Sequence, residues 1–295
     1  MQKGFLRKPE WLKIKLETSG DYSDTVKIVK DFSINTICHS GKCPNQNECW
    51  SRGTATFMIL GDVCTRSCGF CATKSGKPLM PDSDEPDRIA RSVSLMGLKH
   101  CVITSVTRDD LADEGASHWA RVIKRCRELN PETTIEVLIP DFNKKEELLD
   151  IITESRPDII AHNIETIERL TPAVRSKARF RTSLRVLEYI SASGIITKSG
   201  FMVGLGETED EVITTLKDLD AYGCRGITIG QYLQQTKAHL EVVEYMSTLK
   251  FEMFKQKAIE IGFKHVESGP LVRSSYMADK ALKVTLKNKN RNGKN

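Results

Sequence analysis

The chain has 295 residues, 39% of them apolar and 28% charged, with a formal net charge of +5. That suits one or two globular domains with a sizeable core, and no apolar run reaches the length of a membrane span. Nine cysteines and no signal-peptide pattern argue against a disulfide-stapled secreted fold and for a reducing, cytoplasmic setting with metal or redox chemistry.

Residues 1–53 read as largely irregular. Lys8-Pro9-Glu10-Trp11-Leu12 is expected to pack as an extended arm, and Tyr22–Asp31 as one short helix with Val26 and Val29 on its apolar face. Cys38, Cys43 and Cys49 follow in CHSGKCPNQNECW, with spacings of four and five. Gly41, Pro44 and the Asn/Gln run predict a loop there rather than a helix. Such a loop offers three thiols little apolar company, so a metal cluster is expected. Three unrelated reduced cysteines, or a Cys3His zinc site through His39, are the alternatives.

The stretch Thr54 to Lys77, TATFMILGDVCTRSCGFCATKSGK, organises the rest. Its apolar run Thr56–Leu60 predicts a buried strand. Gly61 and Asp62 then turn the chain into a loop holding Cys64, Cys68 and Cys71, spaced by three and two. Three thiolates leave one iron of a [4Fe–4S] cluster open to a small molecule, whereas four-cysteine ferredoxins close that position. A structural zinc knuckle is the alternative, although it prefers two close Cys pairs.

Beyond it, β-rich runs at Thr56–Leu60, Cys101–Val106, Thr134–Ile139, Asp158–Ile164, Ile195–Leu205 and Gly226–Leu233 alternate with helical patterns. The helices are placed near Pro86–Gly97, Ser117–Leu129, Lys144–Ser155, Thr182–Ser193, Glu207–Tyr222 and Thr248–Ile261. Ser117 and Thr208 are candidate N-caps, and Gly194 and Gly223 sit just past helix ends. Cys101, Cys126 and Cys224 fall in these periodic segments and read as buried thiols.

Six such units predict an α/β fold with a parallel sheet, too short for a closed eight-stranded barrel but suited to a partial (β/α)6 barrel. Ligand sites of such sheets lie at the strands' carboxyl ends. That geometry nominates Thr104 and Ser105, Asn163 and Glu165, Lys198, and the close-approach glycines Gly204 and Gly206. A phosphate-loop reading of GLGET is weak, because no Lys-Ser/Thr follows. Arg273-Ser274-Ser275-Tyr276 has no helical or strand period and reads as a loop, or as the cap of a helix over Met277–Leu282. Lys283 to Lys294 reads as a solvated basic tail; without interleaved aromatics it gives no support to nucleic-acid binding.

The CxxxCxxC loop after a first strand resembles the radical S-adenosylmethionine (SAM) superfamily. That resemblance implies the partial barrel. It also implies that the open iron chelates SAM's methionine moiety and that an electron from the cluster cleaves SAM to a 5′-deoxyadenosyl radical. CxxxxCxxxxxC, CxxxCxxC and a terminal RSSYxA narrow the resemblance to the lipoyl synthase family, with RKPEWLKIKL, GTATFMILG, ITSVTRDDL, TKSGFMVGLGET and GQYLQ in support. It runs from about residue 5 to 282 and implies three parts. They are an N-terminal extension (1–53), the barrel (54–268), and a C-terminal segment (269–295).

By the same resemblance, Cys64, Cys68 and Cys71 hold the SAM cluster. Cys38, Cys43, Cys49 and Ser275 would hold an auxiliary [4Fe–4S] cluster that donates sulfur. An oxygen ligand matches a cluster iron less well than a thiolate, so Ser275 would be the detachable corner, with Arg273 stabilising charge beside it. The implied reaction inserts two sulfurs at C6 and C8 of an octanoyl chain on a carrier lysine. Implied partners are octanoylated 2-oxoacid dehydrogenase E2 subunits and glycine cleavage H protein, a flavodoxin or ferredoxin as electron donor, and an iron–sulfur carrier. Neither nucleic acid nor membrane is among them. The barrel should enclose a tunnel between the two clusters.

Overall fold

A computed structural model describes residues 7–12 and 20–276. The expected helix over Met277–Leu282 and the basic tail lie outside the described residues. Seven strands form one sheet: β1 (Thr56–Ile59), β2 (His100–Ser105), β3 (Thr134–Leu138), β4 (Ile159–Ala161), β5 (Ile196–Val203), β6 (Gly226–Gln231) and β7 (His265–Gly269). Each pairs in parallel with the next in chain order, and β1 and β7 form the two edges of an open barrel.

The helices are α1 (Gly20–Asp31), α2 (Ile37–Ser40), α3 (Gln46–Ser51), α4 (Glu85–Leu95), α5 (Ala116–Leu129), α6 (Glu146–Glu154), α7 (Thr171–Val174), α8 (Phe180–Ala192), α9 (Glu209–Ala221) and α10 (Thr248–Ile261). The six predicted βα units are all present.

Two core clusters hold the helices to the sheet. Phe57, Ile103 and Ile135 pack with Trp119 of α5 and Ile152 of α6. Val203 and Ile227 pack with Leu184, Leu216 and Phe254 of the later helices. Each fully buried Ile, Leu or Phe contributes about 1.5–3 kcal/mol. Cys101, Cys126 and Cys224 are buried in these clusters, and burial pushes the last two thiols up to about 12.

Several expectations are corrected. A seventh strand, β7, follows α10. Its sequence His-Val-Glu-Ser-Gly has one strong apolar residue and reads as a loop, but an edge strand pairing only β6 needs no apolar face on both sides. The first cysteine triplet is partly helical. Thr36 caps α2 by accepting from the His39 amide, Gly41 closes it, and the Cys49 amide bonds Asn45 within the first turn of α3. Gly41 and Pro44 therefore separate two short helices instead of preventing them.

Glu10–Leu12 is a 3-10 turn with Leu12 buried, not an extended arm. Helix α5 starts one residue before Ser117, after left-handed Gly115, and Asp113 accepts from the Gly115 and Ser117 amides in the capping role expected of Ser117. Thr208 does cap α9, in a reciprocal box with Glu211. The helix expected at Tyr22–Asp31 is α1, whose Tyr22, Val26 and Val29 pack on Trp50.

Candidate active site

The carboxyl end of β1 launches the second cysteine triplet. Leu60 (φ 68°) and Gly61 (φ 94°) are both left-handed, which turns the chain off the strand at once. Leu60 is held there by its amide donating to Glu85 Oε2 at 2.8 Å and its carbonyl accepting from Arg108 at 3.3 Å. The amides of Arg66 and Thr107 donate to Cys64 Sγ at 3.4 and 3.3 Å. Cys68 Sγ lies 3.6 Å from Ser176 Oγ. The Gly69 amide donates to Val174 and its carbonyl accepts from Leu240, lacing the loop to the barrel's upper rim. Burial pushes the Cys71 thiol up, against hydrogen bonds from Thr73, with Cys68 and Glu165 adding to the rise.

The first triplet gathers at the opposite end of the barrel, where strands begin. A pocket of about 60 Å³ there is lined by Cys38, Cys43, Cys49, Thr56, His100, Arg273 and Ser275. Asn45 Nδ2 donates to the Leu271 carbonyl at 2.6 Å, and Thr56 Oγ1 to Ser275 Oγ at 2.8 Å, so the C-terminal segment is tied against both the cysteines and β1. Burial, with repulsion from Cys38 and Cys43, pushes Cys49 up to about 12. The half-buried Arg273 guanidinium donates to the carbonyl of the preceding Val272 and faces Cys43, and desolvation lowers its pKa. His39 is exposed and lines neither cavity, which removes it from any zinc site with these cysteines.

A cavity of about 350 Å³ runs through the barrel between the triplets. Cys64, Cys68 and Cys71 line it at one end, and Cys38, Cys43, Ser274 and Ser275 at the other. Thr104, Ser105, Asn163 and Glu165 line it as well. Asn163 Nδ2 donates to Ser274 Oγ at 2.6 Å, while its Oδ1 and Ser105 Oγ are buried without a protein partner. Buried polar atoms are rarely left unpaired, so both ask for a ligand. Glu165 sits in a left-handed conformation (φ 67°), and burial pushes its carboxyl up, against Arg175 and Asn163.

Three expected residues do not line this cavity. Lys198 enters β5 near its start. Its ammonium is engaged lower in the barrel, by Glu136 Oε1 at 2.7 Å and the Ser274 carbonyl at 2.6 Å. Gly204 (φ 100°) does permit a close approach, but what approaches is Gln231, with the Glu244 carbonyl, while Glu207 accepts from the Gly204 and Leu205 amides. Gly206 is exposed.

Sequence reasoning missed the charges that build the wall. Arg66, between the cysteines, is buried with its guanidinium 2.8 Å from both Asp109 and Asp141, and despite its own desolvation Asp109 is held down to about 2 by Arg66 and Lys177. Burial, with Arg175 nearby, pushes His162 down to about 4. It is neutral, with Nδ1–H donating to the Ile139 carbonyl at 3.0 Å and Nε2 accepting from Ser183. Arg175 donates to Ser183 and the Ile164 carbonyl. Only their distance in sequence hid this group; an arginine inside a cysteine loop was the available signal.

The model of the Radical SAM superfamily matches residues 58–219. The lipoyl synthase of Bacteroides fragilis is 53% identical over 282 residues, covering 96% of this chain and 98% of its own length. That of Bacteroides thetaiotaomicron is 54% identical over 278 residues, covering 94% and 99%. The chain belongs to the lipoyl synthase family. Among solved structures, methylornithine synthase aligns with a TM-score of 0.56 at 12% identity, over 85% of this chain and 75% of its own. Streptococcus suis SuiB bound to S-adenosylmethionine aligns with a TM-score of 0.58 at 10% identity, over 85% and 62%. Both likenesses concern the fold.

As a radical SAM enzyme of the lipoyl synthase family, the chain uses a [4Fe–4S] cluster and SAM. The residues present fit such groups. Each triplet gathers soft donors at the rim of a cavity, and orphaned polar atoms face the space between.

Proposed function

We propose that this chain builds the lipoyl group between the two ends of its barrel cavity. It inserts two sulfur atoms at C6 and C8 of an octanoyl chain carried on a lysine of a lipoyl carrier protein. Cys64, Cys68 and Cys71 hold the cluster that works with SAM; Cys38, Cys43, Cys49 and Ser275 hold a second [4Fe–4S] cluster, consumed as the sulfur donor. The observation that carries this reading is one cavity lined by Cys64, Cys68 and Cys71 at one end and by Cys38, Cys43 and Ser275 at the other. When bound, the first cluster and SAM supply hydrogen-atom abstraction from unactivated carbon, chemistry that no side chain offers.

The chain's own residues bind, orient and exclude water. Glu165, with the free oxygens of Asn163 and Ser105 and the neighbouring Thr104, presents acceptors and donors to SAM. Met58, Val106, Phe201 and Met202 give the octanoyl chain an apolar wall. Amide donation to Cys64 tunes its cluster. Arg273, lining both cavities, balances anionic charge at the donor site as sulfur leaves. Lys198, Gly204 and Gly206 serve the fold around the site.

The functional division falls near residues 53 and 268. Carriers are E2 subunits of 2-oxoacid dehydrogenases and glycine cleavage H protein. A flavodoxin or ferredoxin supplies electrons, an iron–sulfur carrier rebuilds the donor, and the setting is the cytoplasm. Among the described residues no helix is long and apolar enough to cross a membrane.

The test is anaerobic reconstitution followed by reaction with an octanoylated carrier domain, SAM and a reductant, with the carrier read by intact mass. The expected product has gained two sulfurs, as the dithiol under reductant, and loses two hydrogens when oxidation closes the ring. An unchanged carrier from protein containing about eight irons, two full clusters, would overturn the reading.

A further inference from the structure

A buried ionic group beside the first triplet is explained neither by the cysteines nor by the cavity wall. Lys198 and Glu136 side chains are 3% and 1% exposed and 2.7 Å apart, in β5 and β3. Glu136 Oε2 meets His100 Nε2 at 3.2 Å, and His100 Nδ1 lies 2.9 Å from Thr134 Oγ1. Glu136 is thereby anchored from β2 and β3. The remaining contact of the ammonium is the carbonyl of Ser274, at 2.6 Å, in a segment without regular structure. Asn163 holds the Ser274 hydroxyl, and Thr56 donates to Ser275 Oγ. Residues of β1 and β5, with Asn163 just past β4, thus tether one dipeptide.

We infer that Lys198, backed by Glu136, is a positioning residue that pins the Ser274–Ser275 peptide and so keeps the Ser275 hydroxyl at the mouth of the cysteine pocket. The inference rests on Ser275 being the fourth ligand of the second cluster. Its physics is preorganisation. A hydroxyl is a poor cluster ligand and cannot by itself order a loose segment, because every ordered residue loses backbone entropy. Strand-borne tethers meet that cost in advance. The hydroxyl would then be held at one place before any cluster is loaded beside it. A hydrogen bond from a charged donor stabilises by about 1.5–3 kcal/mol, which is tenfold or more in the pinned population.

The test compares the full chain with Lys198→Met/Glu136→Gln, which removes both charges and strands neither. In the metal-free protein, hydrogen exchange of the Val272 and Tyr276 amides, each closed in a local turn, is expected to quicken about tenfold while peptides of β5 and α10 hold their rates. In a Cys64→Ala/Cys68→Ala/Cys71→Ala background loaded with iron and sulfide, chelator-driven iron loss is expected to quicken about tenfold, as it should in Ser275→Ala. Unchanged exchange at residues 270–276, or exchange rising everywhere, overturns the positioning role. Iron loss quickened by Ser275→Ala but not by the double variant overturns it too. Faster local exchange with iron loss indifferent to both variants overturns the ligand reading instead.

Discussion

Glu165 shows how one side chain is set for its task by its surroundings. Its left-handed backbone aims the carboxyl into the cavity, burial pushes its pKa up, and Arg175 opposes that rise. Glu165→Ala is expected to weaken SAM binding by roughly tenfold to a hundredfold, the loss of one charged hydrogen bond, with iron at Cys64, Cys68 and Cys71 retained. Equilibrium dialysis with labelled SAM and iron analysis on the same sample check both halves. Cys43→Ala should lower iron from about eight to about four per chain and abolish the lipoyl product. A variant that still converts octanoyl to lipoyl carrier would end the donor assignment.

At the scale of elements, α9 is the best-specified helix. Its reciprocal Thr208–Glu211 cap satisfies two first-turn amides, and Thr208→Ala is expected to cost about 1 kcal/mol, read as a lower denaturation midpoint of the metal-free protein. Helices α2 and α3 are the opposite case. They span four and six residues, too short to persist alone, and stand because Cys38 and Trp50 are buried against α1 and Ala55. Tyr22→Ala, which strips the ring 6.0 Å from Trp50, should loosen both and lower iron retention at the first triplet selectively. Chelator kinetics on the two clusters separately give the comparison.

The molecule as a whole is a barrel stabilised partly by buried charge, and its acid response follows. Burial would raise Glu136, but Lys198 and His100 hold it at about 2, below its ordinary 4.5. Its contribution is full above pH 4.5 and is lost as pH falls toward 2. His162 is held at about 4, below its ordinary 6.5, so the unfolded chain takes up a proton first and stability falls between pH 6.5 and 4. At about 1.4 kcal/mol per pH unit, His162 accounts for roughly 3 kcal/mol. Urea midpoints should therefore drop steadily below pH 6.5, and His162→Asn should flatten the upper part of that slope.

The sequence alone determined the six βα units, because period-2 and period-3.6 apolar patterns are local, and it displayed both cysteine triplets, because residues of one loop are close in the chain. Tertiary structure decided what joins distant segments. Edge strand β7 forms only because β6 offers it a ladder, and α2 and α3 form only because Trp50 and Cys38 find cover. Lys198 was legible as a polar residue in a barrel strand but not as the partner of Glu136 and Ser274, 62 and 76 residues away. Arg66, Asp109 and Asp141 likewise become one group only when three loops converge. Backbone periodicity is written in neighbours; the satisfaction of a buried charge is not, since its partner is whichever group the fold brings within 3 Å.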